Sequence, residues 1–188
     1  MLERVRCFIS VDIEESDIVN KIVRIQEELK NTGTRLKAVE PENLHITLRF
    51  IGEVPTSIVE SIKDRLSTLE FSSFTLSFSG VGAFPGIERP RVIWVGVSEG
   101  KEELIELSNK VNKLLSSLKI PKENKEFIPH LTIARVKSYP SPRLSEIIKE
   151  LMNVFIGSMR VNDVRLKKST LTSKGPIYDT LFRVEARK

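Results

Sequence analysis

The chain has 188 residues, of which 40% are apolar and 29% charged, with a formal net charge of +5 at pH 7 and an isoelectric point near 9.3. The length fits one ordinary domain, and this apolar fraction can fill a core, which excludes a disordered chain. The single cysteine, Cys7, excludes an internal disulfide and a cysteine-based zinc cluster, so we expect a reducing, cytoplasmic location. The basic balance favours a polyanionic partner, with nucleic acid ahead of membrane.

The start of the chain and its apolar runs argue against a membrane-directed protein. Glu3, Arg4 and Arg6 interrupt the uncharged apolar core that a signal peptide needs. No run approaches the roughly 18 apolar residues that span a bilayer. We therefore expect a protein without a membrane partner.

The first half of the chain alternates strand and helix patterns. Residues 5–13 alternate apolar and polar side chains, which predicts a strand with one buried face. Apolar residues at helical spacing predict a first helix capped by Ser16 and a second helix that begins at a capping box of Ser57 and Glu60.

A loop rich in proline and glycine, residues 84–90, divides the chain after a strand predicted to end at Gly80. Behind this loop the order of patterns repeats, and Ser141 followed by Pro142 predicts the start of the last helix. The predicted segments there are a strand over 91–97, a helix over 104–118, a strand over 127–136, a helix from 142 and two or three strands over 154–187.

The repeated order indicates an internal duplication, with halves at 1–85 and 86–188 inside a single two-lobed domain. In an alignment of the halves, Phe8 and Trp94 take matching positions. Two halves packed about a pseudo-twofold axis would share a concave surface and carry helices on their outer faces. The predicted fold class is α+β.

Both halves contain a histidine followed two residues later by a threonine, and the chain has no other histidine. The two motifs are His45-Ile46-Thr47-Leu48 and His130-Leu131-Thr132-Ile133. In a strand, residues i and i+2 face the same side, so each histidine points the same way as its threonine. A lone strand histidine is usually structural, but a pair in matching positions of a repeat favours a functional site.

This combination suits a phosphodiester. Two imidazoles that face one cleft can divide acid and base duties, because histidine titrates near neutral pH, and neighbouring hydroxyls can donate to phosphate oxygens. A peptide or glycoside fits less well, since no paired carboxylate motif and no serine in a nucleophile elbow is present. A catalytic metal is not expected, because no third ligand stands at a fixed spacing.

Two arginines near the motifs are candidates for the same cleft. Arg49 shares strand parity with His45 and would line it. Arg135 has the wrong parity relative to His130 unless the strand bulges near Ala134.

Aromatic and basic side chains complete the candidate set. Phe8 and Trp94 would wall the cleft and stack a terminal base, with a core position as the alternative, and Tyr178 is a further candidate for the lining. The candidates for a basic rim along a nucleic-acid backbone are Arg89, Arg91, Lys167, Lys168 and Lys174.

Taken together, these segments resemble the two-histidine phosphoesterase superfamily, specifically its branch of RNA 2′,3′-cyclic phosphodiesterases and 2′-5′ RNA ligases. The resemblance covers nearly the whole chain. It rests on residues 6–9, 41–53, 90–94, 129–135 and 175–178.

The resemblance implies a bilobal fold of two antiparallel sheets around a central cleft, with C-terminal strands crossing between the lobes. It implies catalysis by His45 and His130 and phosphate binding by Thr47, Thr132 and Arg135. The implied reaction is hydrolysis of a 2′,3′-cyclic phosphate on RNA to a 2′-phosphomonoester without metal or cofactor, and in reverse a 2′-5′ ligation. We assign His130 as the base that activates water and His45 as the acid that protonates the leaving 3′ oxygen.

Two alternatives stay open. One is an RNA-binding or end-recognition module without relevant turnover, and the other is a phosphodiesterase for small cyclic nucleotides or 2′-5′ oligoadenylates. The expected partner is RNA with a 2′,3′-cyclic phosphate end, tRNA fragments included, and the protein is expected to act as a monomer without an obligate protein partner.

Overall fold

The structure is a computed structural model, and it describes residues 3–121, 123 and 126–187. Within these residues the chain forms nine strands and four α-helices. The strands are β1 (Arg4–Asp12), β2 (Leu36–Ala38), β3 (His45–Pro55), β4 (Phe74–Phe84), β5 (Val92–Glu99), β6 (His130–Val136), β7 (Phe155–Val161), β8 (Asp163–Leu171) and β9 (Pro176–Glu185). The helices are α1 (Ser16–Lys30), α2 (Thr56–Leu66), α3 (Lys101–Leu115) and α4 (Pro142–Glu150), and a short 3-10 helix covers Pro41–Asn43.

The strands form two antiparallel sheets that share one order. The first sheet runs β3-β1-β8-β9, and the second runs β6-β5-β4-β7 with β2 added beside β6. Each histidine strand therefore lies next to the first strand of its own repeat. The predicted α+β fold of two antiparallel sheets is confirmed.

The helices cover the sheets in a crossed arrangement. Helix α1 follows β1 of the first sheet but contacts β2, β6 and β7 of the second, while α3 follows β5 of the second sheet and contacts β3 of the first. Helix α2 packs on β1 and β3, and α4 packs on β4. Because each sheet is covered by a helix that leaves the other, the two sheets are held together by shared apolar packing.

The helix starts show where local prediction succeeds. Ser141 caps α4 as predicted, since its Oγ accepts a hydrogen bond from the Leu144 backbone N–H at 3.3 Å. The other two predicted caps are wrong: α1 begins at Ser16 itself, after Glu15, and α2 begins one residue before Ser57, in both cases without a side-chain cap. Burial of their apolar faces stabilises these helices instead.

Strand β4 is longer than its sequence pattern predicts. It passes Gly80, which adopts a φ of 77°, and continues to Phe84 with a break in its register against β5. A side chain at Gly80 would meet the Met152 carbonyl oxygen at 2.4 Å, so glycine allows the strand to bend there without ending. The following proline-rich loop joins β4 to its neighbour β5 inside one sheet.

The C-terminal segment forms three strands, of which β8 pairs with β1 from the start of the chain. Within the described residues, no helix is long and apolar enough to cross a membrane.

Candidate active site

The two histidine strands carry the same bulge. In β3, Ile9 of β1 pairs with Arg49 and Ser10 with Thr47, so Leu48 is the extra residue between them. In β6, Ile93 pairs with Ala134 and Trp94 with Thr132, which leaves Ile133 as the extra residue. A bulge of one residue reverses the parity of every later side chain.

The bulge decides which side chains reach the cleft. It turns Arg135 to the same face as His130 and Thr132, so Arg135 lines the cleft. Simple alternation along β6 would have turned this arginine away. In β3 the same bulge buries Arg49 and exposes Phe50 to the cleft. The expectation that Arg49 lines the cleft is therefore corrected by the structure.

Arg49 instead has a packing role behind the sheet. It is only 7% exposed, and its guanidinium donates to the Pro121 carbonyl oxygen and to Glu123, the latter at 3.3 Å. These contacts tie the segment after α3 to the outer face of β3.

Both imidazoles are held in the same way. The Nδ1 of His45 lies 2.7 Å from the Asn43 carbonyl oxygen, and the Nδ1 of His130 lies 2.6 Å from the Ile128 carbonyl oxygen. A carbonyl can only accept, so each Nδ1 carries the proton and donates it. In the neutral imidazole this leaves Nε2 as the basic nitrogen.

A single cleft of about 700 Å³ brings the two motifs together. Its lining includes His45 and Thr47 from β3 together with His130, Thr132 and Arg135 from β6. The remaining cationic side chains in its lining are Arg6, Lys37, Lys137 and Lys174, and the acidic ones are Glu40 and Glu42. The site is thus a basic cleft with one histidine on each side.

Aromatic rings flank His45. The Phe8 ring lies 4.8 Å from the imidazole centroid and the Tyr178 ring 5.4 Å, and the two aromatic rings are 4.9 Å apart. Both residues line the cleft, but Phe8 is only 4% exposed and so also occupies the buried position that was the alternative for it. Thr47 Oγ1 lies 3.0 Å from His45 Nε2, and the hydroxyl donates to this nitrogen when the imidazole is neutral.

Burial changes the titration of this side of the cleft. Desolvation lowers the pKa of His45 below its ordinary value of 6.5, against the opposing effects of the Asn43 carbonyl and the Asp12 carboxylate. Desolvation also raises the pKa of Tyr178, so its phenol stays protonated at neutral pH. His45 is therefore mainly neutral in the unliganded protein at pH 7.

A buried charge network lies next to His45. Lys167 Nζ donates to Asp12 at 2.6 Å, Arg165 contacts the same carboxylate at 3.1 Å, and Ser10 Oγ donates to it at 2.7 Å. Burial alone would raise the pKa of Asp12, but these hydrogen bonds and the two cations outweigh it, so the pKa is lowered. Lys167 is 7% exposed and is not part of an RNA-facing rim.

The surroundings of His130 are aromatic. The Phe84 ring contacts the imidazole edge-on at 5.1 Å, and Trp94 packs against Phe84 at 5.3 Å. Trp94 lies against Gly82, where an added side chain would meet the indole at 2.3 Å. Trp94 is outside the cleft lining, and its buried Nε1 has no hydrogen-bond partner within the described residues.

The register also corrects the predicted equivalence of Phe8 and Trp94. Trp94 pairs with Thr132, and the residue that pairs with Thr47 is Ser10, whereas Phe8 pairs with Phe50. The true counterpart of Phe8 is Val92, which pairs with Arg135. The alignment of the halves is thus displaced by two residues, a shift that preserves the alternation of faces.

The remaining rim candidates divide between cleft and outer surface. Lys174 lines the cleft, while Arg91 is exposed outside it. Residues that the sequence interpretation missed include Arg6, Phe50 and Asn43. Asn43 positions His45 through its carbonyl, and its side chain donates to the Pro176 carbonyl at 3.0 Å, which ties the β8–β9 turn to the site.

The chain is similar to proteins of known family over most of its length. A family model described as "LigT like Phosphoesterase" matches twice, at residues 11–94 and 95–178. An RNA 2′,3′-cyclic phosphodiesterase of Archaeoglobus fulgidus is 46% identical over 176 residues, which cover 94% of this chain and 97% of that one. One of Aeropyrum pernix is 43% identical over 170 residues, covering 90% and 97%.

Solved structures have the same fold. A crystal structure of a Thermus thermophilus protein superposes with a TM-score of 0.76 at 30% identity, covering 96% of this chain and 97% of that one. The structure described as E. coli LigT complexed with 3′-AMP superposes with a TM-score of 0.80 at 24% identity, covering 99% and 100%. Fold, duplicated motif and sequence identity agree: the chain belongs to the LigT like Phosphoesterase family, within the two-histidine phosphoesterase superfamily.

Proposed function

We propose that this chain hydrolyses the 2′,3′-cyclic phosphate end of RNA to a 2′-phosphomonoester. The observation that carries the proposal is the paired arrangement of His45 and His130 in one basic cleft, each with Nδ1 bound to a carbonyl and Nε2 left for chemistry. The relatives named RNA 2′,3′-cyclic phosphodiesterase support it.

We infer an in-line displacement at phosphorus, because the two histidines line one cleft from separate strands. One neutral imidazole takes a proton from water as the water oxygen bonds to phosphorus, and the other, protonated, gives its proton to the 3′ oxygen as the P–O3′ bond breaks. The 2′ oxygen keeps its bond to phosphorus, so the product is a 2′-phosphate. With a 5′ hydroxyl in place of water, the same forward steps form a P–O5′ bond as the P–O3′ bond breaks and so give a 2′-5′ linkage, and the reverse steps cleave it.

The side chains beside the histidines would hold the phosphate. Thr47, Thr132 and Arg135 line the cleft on the same side as the imidazoles and can donate to the non-bridging oxygens, where negative charge is concentrated. In the unliganded structure Thr47 donates to His45 instead, so a bound phosphate would compete for its hydroxyl.

Assignment of acid and base follows the two environments. We propose His130 as the base and His45 as the acid. The lowered pKa of His45 makes its protonated form a stronger proton donor but a rarer one before substrate binds. The negative charge of the cyclic phosphate favours the imidazolium and so restores the proton that the reaction uses.

Substrate and setting are proposals of the same kind. RNA is favoured over a small cyclic nucleotide because the formal net charge is +5 and cations exceed acids in the cleft lining. Metal independence, action as a monomer and a cytoplasmic location stay predictions from the sequence. We expect undiminished turnover after dialysis against EDTA.

The direct experiment offers the protein an oligoribonucleotide with a 2′,3′-cyclic phosphate end. We expect conversion to the 2′-phosphate, identified by chromatography against 2′- and 3′-phosphate standards. Binding without any product would favour the end-recognition module, and conversion of cyclic mononucleotides alone would favour the small-molecule phosphodiesterase. A 3′-phosphate product would contradict the mechanism proposed above.

A further inference from the structure

Arg6 and Phe50 form a paired feature at the cleft that the two-histidine chemistry does not use. The guanidinium carbon of Arg6 lies 4.7 Å from the centroid of the Phe50 ring. Both side chains line the cleft. Arg6 comes from β1 and Phe50 from the neighbouring strand β3. A large aromatic ring left 42% exposed in a cleft calls for an explanation in terms of what it binds.

The position of Phe50 breaks the symmetry of the two motifs. Phe50 stands five residues after His45, and Arg135 stands five residues after His130. The bulge places both on the face of the catalytic motifs. One side of the cleft thus presents a cation directly, while the other presents an aromatic ring with a cation resting over it.

The charge of the cleft exceeds what a single cyclic phosphate needs. The described lining holds five arginine and lysine side chains and two glutamates. A 2′,3′-cyclic phosphate carries one negative charge, and Arg135 beside His130 can serve it. The surplus of cations fits a ligand with further phosphates.

The separation along β3 fits the next nucleotide of an RNA strand. Phe50 lies three residues beyond Thr47, which is at most roughly 10 Å at about 3.3 Å per residue. A phenyl ring cannot donate a hydrogen bond to the reacting phosphate as Arg135 can, but from this position it can stack on the base of a neighbouring nucleotide. Exposed aromatic rings and arginine planes are the groups on which proteins stack single-stranded bases.

We propose that Arg6 and Phe50 form a binding site for the nucleotide on the 5′ side of the RNA terminus. The Phe50 ring stacks the base of this nucleotide, and the Arg6 guanidinium, positioned over the ring, donates to the phosphate that links it to the terminal nucleotide. The proposal deepens the proposed function, because it makes the enzyme prefer an oligonucleotide end to a cyclic mononucleotide.

The test compares two substrates, adenosine 2′,3′-cyclic phosphate and a trinucleotide that ends in the same group. The quantity measured is the ratio of kcat/KM for the trinucleotide to kcat/KM for the mononucleotide. We expect Phe50→Leu and Arg6→Gln each to lower this ratio about tenfold, since one stacked base or one phosphate contact is lost. Arg6→Lys should lower it less, because the charge remains.

Salt dependence gives a second readout for Arg6. Loss of one phosphate contact to a single strand should reduce the slope of log kcat/KM against log salt by about 0.7 for the trinucleotide. Arg24→Gln is the matched control, because Arg24 is exposed on α1, outside the cleft lining, and the variant removes the same charge. Its substrate ratio and salt slope should equal those of the unchanged protein.

The outcomes separate this site from the proposed function. An unchanged ratio in Arg6→Gln and Phe50→Leu, or an equal fall in Arg24→Gln, would overturn the site while leaving the activity in place. If the unchanged protein converted neither substrate, the proposed function would fail. Binding of the trinucleotide with a 2′-phosphate end would then still decide the site, which predicts weaker binding in both variants.

Discussion

Strands β3 and β6 carry the same histidine and threonine spacing, the same bulge and the same carbonyl bond to Nδ1, yet their surroundings differ in kind. On the His45 side, Ser10, Asp12, Arg165 and Lys167 form a buried network of charges and hydrogen bonds. On the His130 side, Phe84 and Trp94 form an aromatic cluster against a glycine.

The sheet register shows that these two sets fill equivalent positions. Ser10, which pairs with Thr47, corresponds to Trp94, which pairs with Thr132. By the same pairing, Asp12 corresponds to Gly96, Arg165 to Gly82, and Lys167 to Phe84.

The two repeats therefore share the histidine and threonine motif and differ in what lies behind it. Two imidazoles in identical surroundings could share one proton in either arrangement, so their surroundings would not determine which is the acid and which the base. Here both imidazoles contact aromatic rings, but only His45 also lies next to the buried charges of Asp12, Arg165 and Lys167. We expect this difference to assign the roles.

The largest effect should follow removal of either imidazole. His45→Ala and His130→Ala should each lower kcat by about 10²- to 10⁴-fold, and the double variant should be little worse than the single ones, because the two groups act in one step. The rate is measured in single turnovers with excess protein. Binding of an RNA with a 2′-phosphate end is the control and should persist. Full activity in either variant would contradict the division of acid and base duties between the two histidines.

The buried charges on the His45 side should matter strongly for stability. Lys167→Met removes the 2.6 Å partner of the Asp12 carboxylate, which keeps Arg165 and Ser10, and should lower the free energy of unfolding by about 1–3 kcal/mol. The double variant Asp12→Asn with Lys167→Met should recover part of this loss. Urea denaturation provides the measurement.

A matched control for that variant is Lys63→Met. Lys63 pairs with Glu60 on the surface of α2 at 2.8 Å, and an exposed pair should contribute only about 0–1 kcal/mol. Equal losses in Lys63→Met and Lys167→Met would mean that the network beside His45 is no more than a surface ion pair.

A smaller effect is expected in the pH dependence of stability. Burial lowers the pKa of His45 in the folded protein, so the unfolded chain takes up this proton at a higher pH. The contribution of His45 to stability should be complete above about pH 6.5 and should be lost as the pH falls through the lowered pKa. His45→Gln should flatten this part of the stability curve.

Imidazole titration by NMR checks the same point independently. The chain has two histidines, so His130→Gln identifies the His45 signal without further assignment. A His45 midpoint at or above 6.5 would contradict the lowered pKa that burial gives this imidazole.

The sequence was sufficient to predict the elements and the pairing of the two motifs because these depend on hydrophobic periodicity and on a rare residue. The sequence does not predict which side chains after each motif face the cleft, because a bulge is not visible in the alternation of apolar and polar residues. Without the bulge, strand parity predicts Arg49 in the cleft and Phe50 in the core, which is the reverse of what the structure shows. The predicted equivalence of Phe8 and Trp94 is wrong by two residues. Such a shift leaves every side chain on the same face of its strand, so only the cross-strand pairing distinguishes the two alignments.

Long-range partners were also beyond the reach of sequence patterns. Lys167 was proposed for an exposed rim, but it lies on β8, which pairs with β1, and this pairing brings it to Asp12. Nothing in the local pattern of β8 indicates that a lysine there finds a buried carboxylate 155 residues away in sequence. The acidic partner became visible only with the sheet order.

The division of labour between His45 and His130 is tested most directly by changing the leaving atom. In a cyclic substrate with sulfur in place of the 3′ oxygen, the leaving thiolate needs no proton, so loss of the general acid should matter little. The account predicts that His45→Ala recovers activity on this substrate by about 100-fold relative to the oxygen substrate, while His130→Ala stays inactive on both. Recovery in His130→Ala instead would reverse the assignment, and recovery in neither would contradict acid catalysis by these histidines.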